Sequence, residues 1–370
     1  MKRLILVIVA LSLASCAQFS RKDSENQQGQ QAQEKADFEV AQNALQHGRY
    51  PQAHQLFLEF MNSYKQSKYL QAARLGQAQA LEGLEKWSEA AAIARDVYLQ
   101  TLNYQPEIAA KALYRLSFSY DALGEDHRSI AALVDAKRLG KHLPPEIALA
   151  EIPARLAAAY GREGQDRVAL KYLNEAEQGI AQVGKTQKNN LSADWLARTY
   201  YQMGSVSMNQ LSAETFSKFI RGQNLVQLYL IKSMAQNSSV WSQASLEKLR
   251  DNYRDLYAQV VLAKDDKEEQ VRSGGELIDL IDRAELYKPI SAQRLNKYES
   301  DFYSYLQEVR KKTEAILYST TETMALTEES KRLNSIKRPG RVEADSFLPQ
   351  EGISSDKPSL KIVPSEDPNL

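Results

Sequence analysis

The sequence predicts an all-α fold: a solenoid of stacked helical hairpins with a helical extension on its C-terminal side. Three observations carry that prediction. From Phe38 to about Val183, two helical runs around a short polar break recur four times. The breaks open at Gly48, Glu85, Gly124 and Gly164, and a small residue closes each one, at Ala53, Ala90, Ser129 and Ala169. The closing residues are 37, 39 and 40 positions apart, a period at which one hairpin cannot bury its own apolar face and must stack on the next.

The 370-residue chain is 43% hydrophobic, enough for a long solenoid with a continuous core. Lys+Arg and Asp+Glu both total 47, so the basic excess of a general nucleic-acid binder is missing. The single cysteine, Cys16, excludes an intramolecular disulfide.

The chain opens with Lys2 and Arg3, then an apolar run from Leu4 to Leu13, too short to span a bilayer as a stable helix. This is the pattern of a secretory signal. It ends Leu13-Ala14-Ser15-Cys16, which resembles the bacterial lipobox. The resemblance implies removal of residues 1–15, a diacylglyceryl thioether on Cys16 and acylation of its new amine. No other cofactor is expected. Several acyl chains anchor a protein stably where one does so only marginally. Under the sorting rule of enteric bacteria, Ala17 in place of an aspartate directs such a lipoprotein to the outer membrane, facing the periplasm. Residues 16–35, rich in glutamine, read as a flexible tether with a reach of roughly 25 Å.

Residues 36–183 form the repeats. The first helix of each unit carries a small residue, Ala41, Ala78, Ser117 and Ala157, and the second carries Ala53/Phe57, Ala90/Ala94, Ser129/Leu133 and Ala169/Leu173. Phe60, Val97, Ala136 and Ala176 follow three places on. This arrangement resembles tetratricopeptide repeats (TPRs), a family of α-solenoids that bind proteins. The opening units, with Ser63-Tyr64-Lys65-Gln66-Ser67-Lys68-Tyr69 as their connecting turn, are also similar to bacterial outer-membrane TPR lipoproteins, including the lipoprotein subunit of the β-barrel assembly machinery. In that turn Lys65 stands where those proteins carry proline. The named Ala, Leu and Tyr residues read first as core packing. The family's geometry implies that Phe38, Gln42, Gln79, Glu82, Lys111, Tyr114, Phe118, Asp121, Ala158 and Arg162 face the concave, partner-binding side. Tyr114 and Phe118 are expected there as exposed aromatic anchors.

Residues 193–263 read as a degenerate fifth hairpin and a further helix. Gly184 to Asn190 reads as a loop, Asp194 to Leu211 as a helix, and Ser212 to Thr215 as the cap of the helix carrying Phe216 to Met234. Trp241 to Ala263 follows. Residues 276–335 read as a helical extension: Ser273-Gly274-Gly275 is a break, Glu276 to Tyr287 a short helix, and Ser291 to Asn334 one long helix. The long helix either packs along the solenoid's end or projects as an arm that pairs with another helix. Residues 336–370, rich in proline, read as a disordered tail.

No catalytic or metal-binding motif appears. His47, His54, His127 and His142 have no acidic cluster of metal-ligand spacing around them, and Asp265-Asp266 and Glu268-Glu269 read as a solvated charge run. Three functional readings remain. The chain is an accessory scaffold of outer-membrane assembly, through β-barrel insertion or secretin piloting; or a structural part of a motility or envelope complex; or, from another class, a peptidoglycan-acting factor. The expected partners are other envelope proteins on the concave face and the membrane through its lipid. No nucleic acid or small-molecule substrate is expected.

Overall fold

The computed structural model describes residues 29–186, 191–206, 216–289 and 295–323. Thirteen α-helices follow one another among these residues, with no strand. They are α1 (29–46), α2 (Tyr50–Ser63), α3 (Leu70–Gly83), α4 (Trp87–Thr101), α5 (Pro106–Ala122), α6 (Asp126–Arg138), α7 (Ile152–Arg162), α8 (Asp166–Thr186), α9 (Ala193–Met203), α10 (Phe216–Ala235), α11 (Trp241–Leu262), α12 (Lys267–Glu285) and α13 (Lys297–Thr323). The chain is a TPR-like solenoid. Odd-numbered helices from α3 to α13 pack on the next odd-numbered one, except where α5 meets α7 mainly through α6.

The small residues that mark the repeats lie where helices cross. Ala41, Ala78, Ser117 and Ala157 are fully buried, as are Ala53, Ala90, Ser129 and Ala169. A missing side chain there lets two helix axes approach, and Phe57, Phe60 and Leu133 fill the space around them.

One device closes all four repeat turns. The backbone N–H of Arg49, Lys86, Glu125 and Gln165 donates to the carbonyl five residues back, at Ala44, Leu81, Tyr120 and Tyr160. This closure needs a left-handed residue just before the donor. Gly48, Gly124 and Gly164 supply it with φ of 69°, 71° and 72°. In the second unit Glu85 takes φ 60°, a conformation that costs an L-residue with a Cβ.

Hairpins reverse the chain, so the connections alternate between two edges. Ser67 Oγ donates to Glu34, Gln71 to Gln100 (3.0 Å), and His142 lies 3.5 Å from Glu107. These contacts put the 64–69, 102–105 and 139–146 connections on the edge where α1 begins. On the opposite edge His127 lies 3.2 Å from Glu163, and Arg162 reaches Asp126.

The solenoid continues through the C-terminal half. The α9–α10 hairpin stacks on the fourth unit through Met203, Val226 and Tyr229 against Ala154, Ala157 and Leu173. The core then passes to α11, α12 and α13 through Leu249, Tyr253, Leu256, Leu280, Ile281, Phe302, Leu306 and Val309.

Several sequence-based boundaries are corrected. The loop expected from Gly184 begins later: α8 runs to Thr186 because Ile180, Val183 and Gly184 stay on its buried face. The helix expected through Leu211 ends at Met203, followed by a turn at Gly204-Ser205. Residues 207–215, including the expected Ser212–Thr215 cap, lie outside the described residues.

Ser273-Gly274-Gly275 is no break, because α12 runs straight through it. A Cβ on Gly274 would stand 2.7 Å from Leu317 Cδ2, so the glycine marks the close approach of α13. Burial against α13 outweighs the ~1 kcal/mol helix penalty of each glycine.

The last helix starts at Lys297, later than Ser291. The Glu299 N–H donates to Asn296 Oδ1 (3.1 Å), and the Asn296 N–H donates to Glu299 Oε2 (3.0 Å), a reciprocal cap. Over its described length α13 packs on α11 and α12 and does not project as an arm. Residues 324–334 of the expected helix lie outside the described residues.

Candidate interaction surface

α5 and α7 bring the polar residues of the odd-numbered helices together. On α5, Lys111, Tyr114/Arg115, Phe118 and Asp121 follow at three- and four-residue steps and therefore share one face. The same spacing on the next odd-numbered element gives Glu151, Arg155, Ala158 and Arg162. A single π-turn over Ile147–Glu151, closed by Ile152 N–H to the Ile147 carbonyl, precedes α7 and carries Glu151 inward.

Arg155 is the centre. Its side chain is 2% exposed and its guanidinium carbon lies 3.6 Å from the Phe118 ring centroid. It donates to Ser117 Oγ (2.6 Å) and Asp121 Oδ2 (2.6 Å). Asp121 also accepts from Arg162 (3.0 Å), which reaches Asp126 at 2.6 Å. Tyr114 meets Phe118 edge-on, with centroids 5.1 Å apart, and donates its hydroxyl to Glu151. The other Glu151 oxygen accepts from Arg198 on α9 (2.8 Å). Arg115 pairs with the buried Glu82 of α3 and lies 4.8 Å from the Phe118 centroid. One network thus joins α3, α5, α7 and α9 around Phe118.

The network is rich in guanidinium groups. Burial, and then the positive charges of Arg155 and Arg198, push Arg115 down to about 10. It still carries its proton at neutral pH. Burial first, and then the Glu151 charge, hold the Tyr114 hydroxyl well above its ordinary range. The buried Nε donors of Arg115 and Arg198 have no acceptor among the described residues. Nine other buried side-chain atoms of the described residues share that state, Arg250 Nε and Trp195 Nε1 among them. The face can accept carboxylate or carbonyl oxygens and stack a flat apolar group beside Phe118.

Of the residues expected to face a partner, Glu82, Tyr114, Phe118, Asp121 and Arg162 belong to this network. Lys111 and Gln42 are exposed, Gln79 is half-buried, and Ala158 is buried. Phe38 lies in the core of the first unit, stacked on Tyr69 at 5.0 Å. Tyr114 is not an exposed anchor: it is 6% exposed because its hydroxyl is tied to Glu151. Phe118 is half-buried beneath the arginines.

Sequence reading passed over Arg115, Glu151, Arg155 and Arg198. One signal was available: an arginine within Ile152-Pro153-Ala154-Arg155-Leu156-Ala157-Ala158-Ala159, an otherwise apolar stretch, needs a partner when the helix is buried. Among the described residues no group of three or more His, Cys, Asp or Glu could hold a metal ion. None of the helices there is long and apolar enough to cross a membrane.

No protein-family model and no curated protein matches the chain. Among solved structures, it is similar to the kinesin light chain nearly identical TPR-like repeats of Podosopora anserina, at 18% identity and a TM-score of 0.39. That similarity covers 55% of this chain and 94% of that one.

Proposed function

We propose that this chain is a lipid-anchored outer-membrane lipoprotein, facing the periplasm, that holds other envelope proteins on the face built by its odd-numbered helices. The lipobox-like Leu13-Ala14-Ser15-Cys16 supports the anchor. The observation that carries the binding role is the pair Arg115 and Arg155 at the Phe118 ring, with Arg198 next in the network on Glu151. An extended or helical segment bearing an acidic side chain beside an aromatic one satisfies both features. Tethering raises the local concentration of such a partner at the membrane. The chain thereby serves as an accessory scaffold of outer-membrane assembly, in β-barrel insertion or secretin piloting.

In-cell crosslinking and purification of the full-length protein tests this reading. Recovery of a β-barrel insertase or a secretin is expected. Arg115→Glu together with Arg198→Glu should lower that recovery at least tenfold, equivalent to about 1.4 kcal/mol. Both residues are partly exposed, so a thermal melt of the double variant separates lost binding from lost fold. Undiminished capture by a folded double variant would sink the binding role. Cys16→Ala should release the protein from the membrane fraction.

The second reading, a structural bracket in a motility or envelope complex, uses the same face and predicts recovery of envelope-spanning proteins instead. Hydrolysis of peptidoglycan by the purified chain would overturn both in favour of an enzyme.

A further inference from the structure

The two edges of the solenoid differ in chemistry. The edge where α1 begins carries the most exposed apolar group of the repeats: Leu99 (63% exposed), Leu102 (37%) and Tyr104 (60%), at the end of α4 and in the connection after it. Three exposed lysines, Lys65, Lys68 and Lys141, occupy the neighbouring connections, and none is in an ion pair among the described residues. Lys68 lies 5.0 Å from the Tyr69 ring centroid with its ammonium open to solvent. Four acids share this edge: Glu34 and Asp37 accept from the hydroxyls of Ser67 and Tyr64, Glu107 lies beside His142, and Glu146 stands in the connection before α7. The opposite edge carries Glu85, Glu89, Glu125, Asp126, Glu163 and Asp166. Lys86 pairs with Glu89, Arg128 with Glu125 and Arg162 with Asp126, while Arg49 and Arg167 are exposed there without an ion pair among the described residues.

We infer that the α1 edge is a membrane-resting surface. Leu99, Leu102 and Tyr104 enter the headgroup region of a bilayer, and Lys65, Lys68 and Lys141 sit on its anionic headgroups. The inference rests on the lipid-anchored reading. The α1 helix begins on this edge and not on the acidic one, so the anchor would pull this edge towards the lipid. Cys16 is 13 residues before Gly29, so the span between them cannot exceed about 45 Å at ~3.3–3.6 Å per residue. Exposed Leu and Tyr next to unpaired lysines is the composition that binds an interface with negative surface potential. Resting on the α1 edge would hold the hairpins upright on the bilayer and leave the Arg115–Arg155–Arg198 face turned sideways, open to a partner.

The test uses the lipidated full-length protein in phosphatidylethanolamine vesicles containing phosphatidylglycerol. Tyr104→Cys supplies a free thiol for an environment-sensitive dye, because lipid occupies the sulfur of Cys16, the only native cysteine. Glu125→Cys places the same dye on the opposite edge. The expected result is a blue-shifted emission at 104, raised about twofold or more, quenched by spin-labelled lipid and absent at 125. Replacing Lys65, Lys68 and Lys141 by glutamate should abolish it, since each lysine contributes about fivefold in surface affinity. Anchored protein with water-like emission at both positions overturns the inference. Equal shifts at both positions overturn it too, because the surface would then have no preferred edge. A chain whose mass shows an unmodified Cys16 removes the anchored reading, and this inference falls with it for that separate, identifiable reason.

Discussion

The Arg155 guanidinium lies 3.6 Å from the centroid of the Phe118 ring and closes onto Ser117 and Asp121 on the same helix. An arginine from one unit is thereby the buried partner of three residues from the unit before it. This contact couples α5 to α7 where small residues would otherwise leave a gap.

Removing that arginine should be costly. Arg155→Ala leaves Asp121 with only Arg162 and opens a void over Phe118, so a loss of about 3–5 kcal/mol is expected. Arg155→Lys should lose roughly 2 kcal/mol, because a point charge cannot bond Ser117 and Asp121 and also lie flat near a ring. Urea unfolding followed by circular dichroism measures both. A loss below about 1 kcal/mol for Arg155→Ala would contradict the central role given to the contact.

Gly179 should not tolerate alanine. A Cβ there would stand 1.8 Å from the Leu149 carbonyl oxygen, inside the π-turn that positions Glu151. Backbone has to move, and a destabilisation of about 3 kcal/mol is expected. Glu151 would shift with it and loosen Tyr114 and Arg198. Thermal melting of Gly179→Ala, with near-ultraviolet circular dichroism reporting on Tyr114, checks both parts. A melt matching the parent protein would show that α8 can slide away from the turn.

Glu85→Gly should stabilise. Glu85 holds φ 60° in the turn that glycine fills in the other three units. Relief of the left-handed strain exceeds the entropy glycine loses on folding, for a net gain of about 0.5–1 kcal/mol. Calorimetry should place the midpoint roughly 1–3 °C higher. A lower midpoint would mean that the Glu85 side chain makes a contact worth more than the strain.

Alkaline pH should weaken the fold through buried tyrosines. Burial raises the Tyr253 hydroxyl well above 10.0, and burial likewise raises Tyr229 and Tyr303. In the unfolded chain these groups ionise near 10, while in the folded chain they stay neutral. Their contribution is therefore complete below pH 10 and is lost as pH rises through 10 towards the folded values. Absorbance of tyrosinate against pH should show these hydroxyls ionising only as the chain unfolds. Tyr253→Phe should reduce the steepness above pH 10, at a cost of about 1–2 kcal/mol at neutral pH from the Gln227 oxygen left without its donor. Free ionisation of every tyrosine in a still-folded chain would refute the burial given to Tyr253.

The repeat boundaries were legible because they depend on local chemistry. A left-handed turn asks for glycine, and a helix crossing asks for a small residue, so Gly48, Gly124, Gly164, Ala53, Ala90 and Ala169 announce themselves in one dimension. Ser273-Gly274-Gly275 misled by the same logic. Those residues look like a break, yet Gly274 is present for a helix that arrives some forty residues later in the chain. Tyr114 and Arg155 were opaque for a related reason: exposure of a polar or aromatic side chain depends on partners in other units.

The all-α class, the hairpin period and the helices of the first four units were determined by the sequence by itself, since periodicity and turn chemistry act within a few residues. Tertiary structure decided that the C-terminal helices continue the stack, that α13 lies against α11 and α12, and that Arg155 of the next unit closes over Phe118. It also decided that unpaired lysines and exposed apolar residues share the edge where α1 begins. Those outcomes turn on pairings between residues some thirty or more positions apart. Burial and charge compensation select such pairings only when the whole stack is assembled.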